Sequence, residues 1–173
     1  VGVMMALVMG VRADDAATLD RACDLGFAFQ LANIARDIIE DDAAGRCYLP
    51  VDWLVEEDIE PGQHAKPHHR QELADMAARL VALMESHEAA ARIGAARLPF
   101  RSRWAVLSAA RIYGAIGREV RRHGPEAWDR RVFTSKGAKI RHAAAAFCEA
   151  AINRPRTLAQ MPRWSRRDFS ALP

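Results

Sequence analysis

Cysteine, proline, glycine and long apolar runs are all sparse in this chain, and each scarcity narrows the reading. The three cysteines, Cys23, Cys47 and Cys148, are odd in number and include no CxxC pair, which argues against a disulfide framework. Reduced thiols in a cytosolic compartment are expected instead. Cys47 has no base or metal-ligand spacing near it, so thiol catalysis is not expected there. The apolar opening from Val1 to Gly10 is about half the length that spans a bilayer. It reads as a packed helix end, not as a signal peptide or an anchor. No segment alternates apolar and polar residues over a strand's length, and no fixed-period repeat recurs, so neither a sheet nor a solenoid is expected. The net charge of +3 and pI near 9.0 are mild, with Lys and Arg dispersed. No recognition motif or aromatic-basic platform accompanies them, and nucleic acid is not an expected partner.

What is present is a 173-residue chain of helix formers, half hydrophobic and 27% charged, long enough for one domain with a core. Its punctuation predicts an all-α fold. A helix end over Val1 to Met9 is followed by a long helix capped by Asp14 or Asp15 and running to about Asp42. A turn over Gly45 to Pro50 leads to a short helix, Val51 to Glu57, and a loop over Asp58 to Pro67. A third long helix, His68 to Ala96, carries Leu73, Met76, Ala77, Leu80, Leu83 and Met84 at core spacings, with the methionines read as packing. Pro99 precedes a helix from Arg103 to His123, with Val106, Leu107, Ala110 and Ile116 as its apolar positions. Gly124-Pro125 separates that helix from a last one over Ser135 to Ile152. Residues 1–152 are expected to form a single helical domain, and residues 153–173 a loosely held basic tail containing prolines. His64, His68 and His69 are expected in a solvated loop without a metal role. In the tail, Arg163, Arg166 and Arg167 with Trp164 and Phe169 suit either a solubilising extension or an interfacial membrane contact.

The chemistry concentrates between Leu25 and Pro50, in LGFAFQLANIARDIIEDDAAGRCYLP. Gln30, Asn33, Asp37 and Asp41 follow one another at steps of three, four and four, so they fall within roughly 80° of one another around a helix axis. Ala28, Leu31, Ala32, Ala35, Ile38 and Ile39 make the other side apolar enough to be buried. Carboxylates one turn apart repel unless a cation lies between them. Oxygen ligands on a rigid helix suit Mg²⁺, which takes one or two protein carboxylates and completes its shell from water and substrate phosphate. Acid pairs at this spacing also arise by chance on solvated faces. The aligned amides upstream, and Arg36 and Arg46 bracketing the acids with donors matched to phosphate oxygens, favour the metal and phosphate reading.

The order L-G-x3-Q-x2-N-I-x-R-D-I-x2-D-x4-R-x-Y-x-P resembles the second aspartate-rich signature of the squalene and phytoene synthase family, most closely its bacterial phytoene synthase branch. The likeness extends to Ala109-Ala110-Arg111-Ile112-Tyr113 and to Trp128-Asp129-Arg130-Arg131-Val132-Phe133 with Lys136 and Lys139, so it runs from Val1 to about Ala151. It implies an isoprenoid synthase-type bundle of long helices around a central cavity. It also implies Mg²⁺-dependent head-to-head condensation of two geranylgeranyl diphosphates through a cyclopropyl diphosphate intermediate to phytoene. Mn²⁺ is the alternative metal.

By that resemblance Asp37, Asp41 and Asn33 hold metal, and Gln30, Asn33, Arg36, Arg46 and Arg131 meet water or diphosphate. Tyr48 and Tyr113, which the residues alone suggest as packing, would line the cavity as catalytic groups beside Asp37 and Asp41. The family's first aspartate-rich motif has no counterpart here. The expectation is therefore a C-terminal fragment that lacks the N-terminal helices and is inactive by itself. A cytoplasmic protein is expected, with peripheral attachment at the inner face of a membrane in keeping with greasy substrates. Two other readings are a squalene or dehydrosqualene-type synthase using farnesyl diphosphate, and a non-catalytic relative acting as an assembly factor.

Overall fold

The computed structural model describes residues 1–60, 62–130 and 132–152, and all the regular structure among them is helical. Six α-helices run in the order α1 (Gly2–Val8), α2 (Ala16–Ala43), α3 (Val51–Glu56), α4 (Arg70–Ala95), α5 (Phe100–His123) and α6 (Lys136–Ile152). The basic tail, and with it the membrane-contact reading of Trp164 and the arginines around it, lies outside the described residues.

Local chemistry sets the ends of these helices. Of the two candidate caps for α2 it is Asp15 that serves: its Oδ1 accepts from the Thr18 amide at 3.1 Å and its Oδ2 from the Thr18 hydroxyl at 2.6 Å. Such a cap contributes about 1 kcal/mol. Asp14 instead accepts from Arg12. At the other end of α2, Gly45 takes φ +71°, a left-handed value that a side chain disfavours. Its amide donates to Asp42 O and the Arg46 amide to Asp41 O.

Two helix starts differ from expectation. The third long helix begins at Arg70, because Pro67–His69 forms a 3₁₀ turn first. The fourth begins at Phe100, directly after Pro99, whose carbonyl accepts from the Arg103 amide at 2.9 Å. Proline is favourable just outside a helix start, where its missing N–H costs nothing.

The core lies between α2 and α4. Ala28, Ala32, Ala35 and Ile38 of α2 face Leu73, Met76, Ala77, Leu80, Val81 and Met84 of α4, joined by Leu49, Leu54, Ile59 and Val120. A face of alanines lets two helix backbones approach closely, and the larger α4 side chains fill the contact. Burying each Leu or Met contributes about 1.5–3 kcal/mol. α5 packs on the same pair at Gly117, where a methyl group would sit 2.6 Å from Met84 Sδ. A smaller cluster of Ala95, Leu107, Ala146 and Ala150 seats α6.

Leu83 was expected in this core, yet it is 46% exposed. Its neighbours Leu80 and Met84 hold the buried face, and position 83 turns outward.

Charge is buried in the fold as well. Asp24 is fully buried on α2 and meets His87 Nδ1 of α4 at 2.7 Å and Arg21 NH1 at 3.0 Å. A second network joins three helices: Glu88 pairs with Arg92 and Arg118, and Glu149 of α6 pairs with Arg92 and Arg111. Desolvation pushes the Glu149 carboxyl up, but the hydrogen bonds and charges of Arg92 and Arg111 together hold it below its ordinary pKa of 4.5. Desolvation, with Arg111, Arg118 and Arg141 nearby, lowers His142 from 6.5.

Asp24→Asn removes the anion from a buried ion pair and is expected to cost about 3 kcal/mol. Thermal unfolding should show Tm lower by roughly 10 °C for a chain of this size. Acid should weaken the fold in two stages. The unfolded chain protonates His142 first, so stability declines below about pH 6.5. The Glu149 contribution, complete above about pH 4.5, is lost as pH falls through its depressed folded value. Urea midpoints measured against pH should show both stages, and His142→Gln should abolish the upper one.

Candidate active site

The stripe lies along the last half of α2, with its apolar back against α4 and its polar front turned away. Ala28, Ala32, Ala35 and Ile38 are buried, while Leu31 and Ile39 pack partly against the same cluster. On the front, Gln30 is exposed and Asn33, Asp37 and Asp41 are half-buried. Trp128 pins this helix from the far end of the chain, its indole N–H donating to Ala35 O at 3.2 Å.

Each aspartate carries an arginine. Arg36 donates to Asp37 through Nε at 2.7 Å and NH2 at 2.5 Å, a forked pair in which both side chains are about one-fifth exposed. That bond, aided by the charge of Glu40 and by Tyr113 nearby, raises Arg36 above its already high pKa. Tyr113 of α5 is itself stacked on Phe29 with ring centroids 4.3 Å apart. It thus stands against α2 at Phe29, upstream of Asp37.

One turn on, Arg46 meets Asp41 through Nε and NH2 at 3.3 and 3.2 Å. This pair is longer and wetter, with the Arg46 side chain 57% exposed. Gly45 makes it possible by reversing the chain so that Arg46 comes back over the end of α2. Tyr48, half exposed, lines a shallow depression with Asp41, Arg46, Ile34 and Ile38.

The structure therefore gathers most of the expected residues into two groups along the last half of α2. Asp37 and Arg36 form the first, Asp41, Arg46 and Tyr48 the second, with Asn33 and Gln30 on the same stripe upstream and Tyr113 stacked on Phe29. Arg131 lies outside the described residues. Lys136 and Lys139 are exposed on α6.

Among the described residues no three His, Cys, Asp or Glu side chains converge as a metal-binding group. The donor set nonetheless fits a hard cation: two carboxylates and an amide, all oxygen donors, one helical turn apart, with their negative charge balanced here by guanidinium groups. A site of this kind needs phosphate oxygens to complete it.

His64 departs from the reading of the sequence. It is 1% exposed, not solvated, and closes the depression on the side of Asp42, with its Nε2 3.5 Å from Asp42 Oδ1. The loop after α3 folds down over the end of α2, burying Ile59 and His64 together. A histidine in a loop rich in proline and charge carries no periodic signal of burial. The Trp128 bond to Ala35 is equally hidden, since nothing local links positions 93 residues apart. None of the three cysteines forms a disulfide, and Cys47 and Cys148 are exposed.

With this geometry in hand, the comparisons assign the class. The squalene/phytoene synthase family model matches residues 1–138, and the chain belongs to that family. Among individual proteins, it is 48% identical over 168 residues to the 15-cis-phytoene synthase of Pantoea ananas, a match covering 96% of this chain and 54% of the relative. It is 49% identical over 154 residues to that of Enterobacter agglomerans, covering 89% and 52%. It is 54% identical over 140 residues to that of a Paracoccus species, covering 81% and 44%. The chain thus spans about half the length of these curated relatives. No solved structure matches. No described helix is long and apolar enough to cross a membrane.

The arginine pairs bear directly on metal affinity at the carboxylates. A cation binding at Asp37 competes with Arg36, so Arg36→Gln is expected to tighten Mn²⁺ binding by about 3–10-fold. Electron paramagnetic resonance titration of free Mn²⁺ checks this, and Asp37→Asn in the same background should abolish the gain.

Proposed function

We propose that this chain supplies the second aspartate-rich half of a phytoene synthase active site, in which two geranylgeranyl diphosphates condense head to head. The observation that carries the reading is the match to named 15-cis-phytoene synthases over 96% of the chain at 48% identity. The stripe on α2 supplies its chemical content.

In this reading Asp37 and Asp41, with Asn33, hold Mg²⁺ or Mn²⁺. The bound metal would neutralise charge on the departing diphosphate. Arg36, released from Asp37, and Arg46, released from Asp41, offer forked donors to the phosphate oxygens, and Arg131 adds a further cation. Gln30 orients water or diphosphate upstream of the aspartates. Tyr113 and Tyr48 stand at the two ends of the stripe, where a polar hydroxyl on an aromatic ring can face an allylic cation. The first condensation gives a cyclopropyl diphosphate, and a second ionisation, rearrangement and proton loss give phytoene. Water must be kept from the cations, which otherwise hydrolyse.

The α2–α4 core supports this by fixing the back of the helix so that the front keeps its spacing. Prenyl diphosphates are the partners so implied. In this reading the protein works in the cytoplasm, and the greasy chains of these substrates favour peripheral contact at the inner membrane face. Both aspartates are retained, which favours a catalytic role over that of an assembly factor.

The test is a chimera in which residues 1–138 replace the matched part of the Pantoea ananas enzyme. It should turn over geranylgeranyl diphosphate in the presence of Mg²⁺. Asp37→Asn and Asp41→Asn should each lower kcat by about a hundredfold or more. Undiminished turnover in either variant would sink the assignment, and a preference for farnesyl diphosphate would move the protein to the squalene-type branch.

A further inference from the structure

His64 is buried to 1% exposure, yet neither of its ring nitrogens has a hydrogen-bond partner. The nearest acceptor, Asp42 Oδ1, stands at 3.5 Å, beyond useful hydrogen-bond length. A buried donor left without a partner destabilises the fold, and an apolar ring of the same size would avoid that cost. Something outside the described chain therefore has to satisfy the imidazole if the cost is to be recovered.

Its surroundings say what that is. His64 lines the depression that also contains Asp41, Arg46 and Tyr48, over an apolar floor of Ile34 and Ile38. The lid of the depression is the Arg46–Asp41 pair, whose bonds of 3.2 and 3.3 Å and 57% exposed guanidinium make it a weak surface contact. Exposed pairs of this kind contribute little and yield readily to a better ligand. Arg46, Tyr48 and His64 all line this depression, so Arg46 leaving Asp41 would open it between three side chains that carry donors. All three can donate, and with the Asp41 carboxylate neutralised by a metal ion the ligand that accepts from such a set is an anionic oxygen cluster.

We propose that His64 is a diphosphate-binding residue, donating from its buried ring to a phosphate oxygen held at the Asp41–Arg46 end of the stripe. The proposal rests on the reading of the site given above and adds a contact to it. The retained imidazole trades stability for binding, as functional sites commonly do.

The experiment titrates the 173-residue chain with inorganic pyrophosphate and Mg²⁺, following the imidazole resonances by NMR and the affinity by calorimetry. The His64 N–H signal is expected to shift downfield and to exchange more slowly on binding. His64→Phe should bind pyrophosphate about tenfold more weakly while unfolding at an equal or higher temperature. His64→Gln, which keeps an N–H donor, should recover much of the loss. A shift seen with pyrophosphate or with a prenyl thiodiphosphate supports the proposal, and the order of their affinities separates released from substrate-bound diphosphate. If His64→Phe binds as tightly as the unsubstituted chain while Arg46→Ala binds more weakly, His64 is a packing residue and the site reading survives without it. If the His64 resonance stays unmoved while pyrophosphate binds, the proposal falls even should the variants fail to fold. If the unsubstituted chain shows no pyrophosphate binding, the proposal and the phosphate role of Arg46 fall together, while turnover by the chimera still judges the metal site.

Discussion

The close approach of α2 to α4 is the contact on which the rest of the structure depends. Ala28, Ala32 and Ala35 present almost no side-chain bulk, so α2 can pack closely on α4, whose Leu73, Met76, Leu80 and Met84 fill the contact. A helix held this way cannot rotate without opening voids beside several α4 side chains, and dense cores resist such voids. The orientation of the polar stripe is thereby fixed: with the alanine side locked down, Asn33, Asp37 and Asp41 have to face the other way.

Two further devices reinforce that constraint. The buried Asp24, gripped by Arg21 and His87, ties the first half of α2 to α4, and the Trp128 indole ties the second half to the turn after α5. Fully buried charge contributes little net stability but is costly to disturb, so it penalises sliding of one helix along the other. The Glu88 and Glu149 networks perform the same service for α5 and α6. Function and stability meet at Arg36 and Arg46. Both neutralise an aspartate in the resting protein, and both are the kind of side chain a diphosphate would recruit.

Much of this is legible in the order of residues along the chain. The stripe needs only the helical repeat. Helix boundaries fall within a few residues of the Pro, Gly and Asp signals, because capping is a local matter of unsatisfied amides and fixed φ values. The two boundaries that differ, at Arg70 and Phe100, do so where proline tightens or opens a turn. Leu83 misleads because its spacing is as helical as its neighbours', and only the direction of the packing partner decides which leucines face inward. His64 misleads for the opposite reason: loops carry no periodicity, and its burial depends on where the segment after α3 comes to rest.

By itself, the sequence determined the all-helical architecture, the side of α2 that is apolar, and the pattern of amides, carboxylates and arginines that links the chain to its family. These follow from residue spacing on one helix, where neighbours in sequence are neighbours in space. Tertiary structure alone decided that Tyr113 stacks on Phe29 of α2 from another helix, that the Trp128 indole bonds to Ala35, and that an unsatisfied histidine is sealed at the Asp41 end of the stripe. Those contacts join segments whose relative positions are set by core packing, so local pattern carries no trace of them.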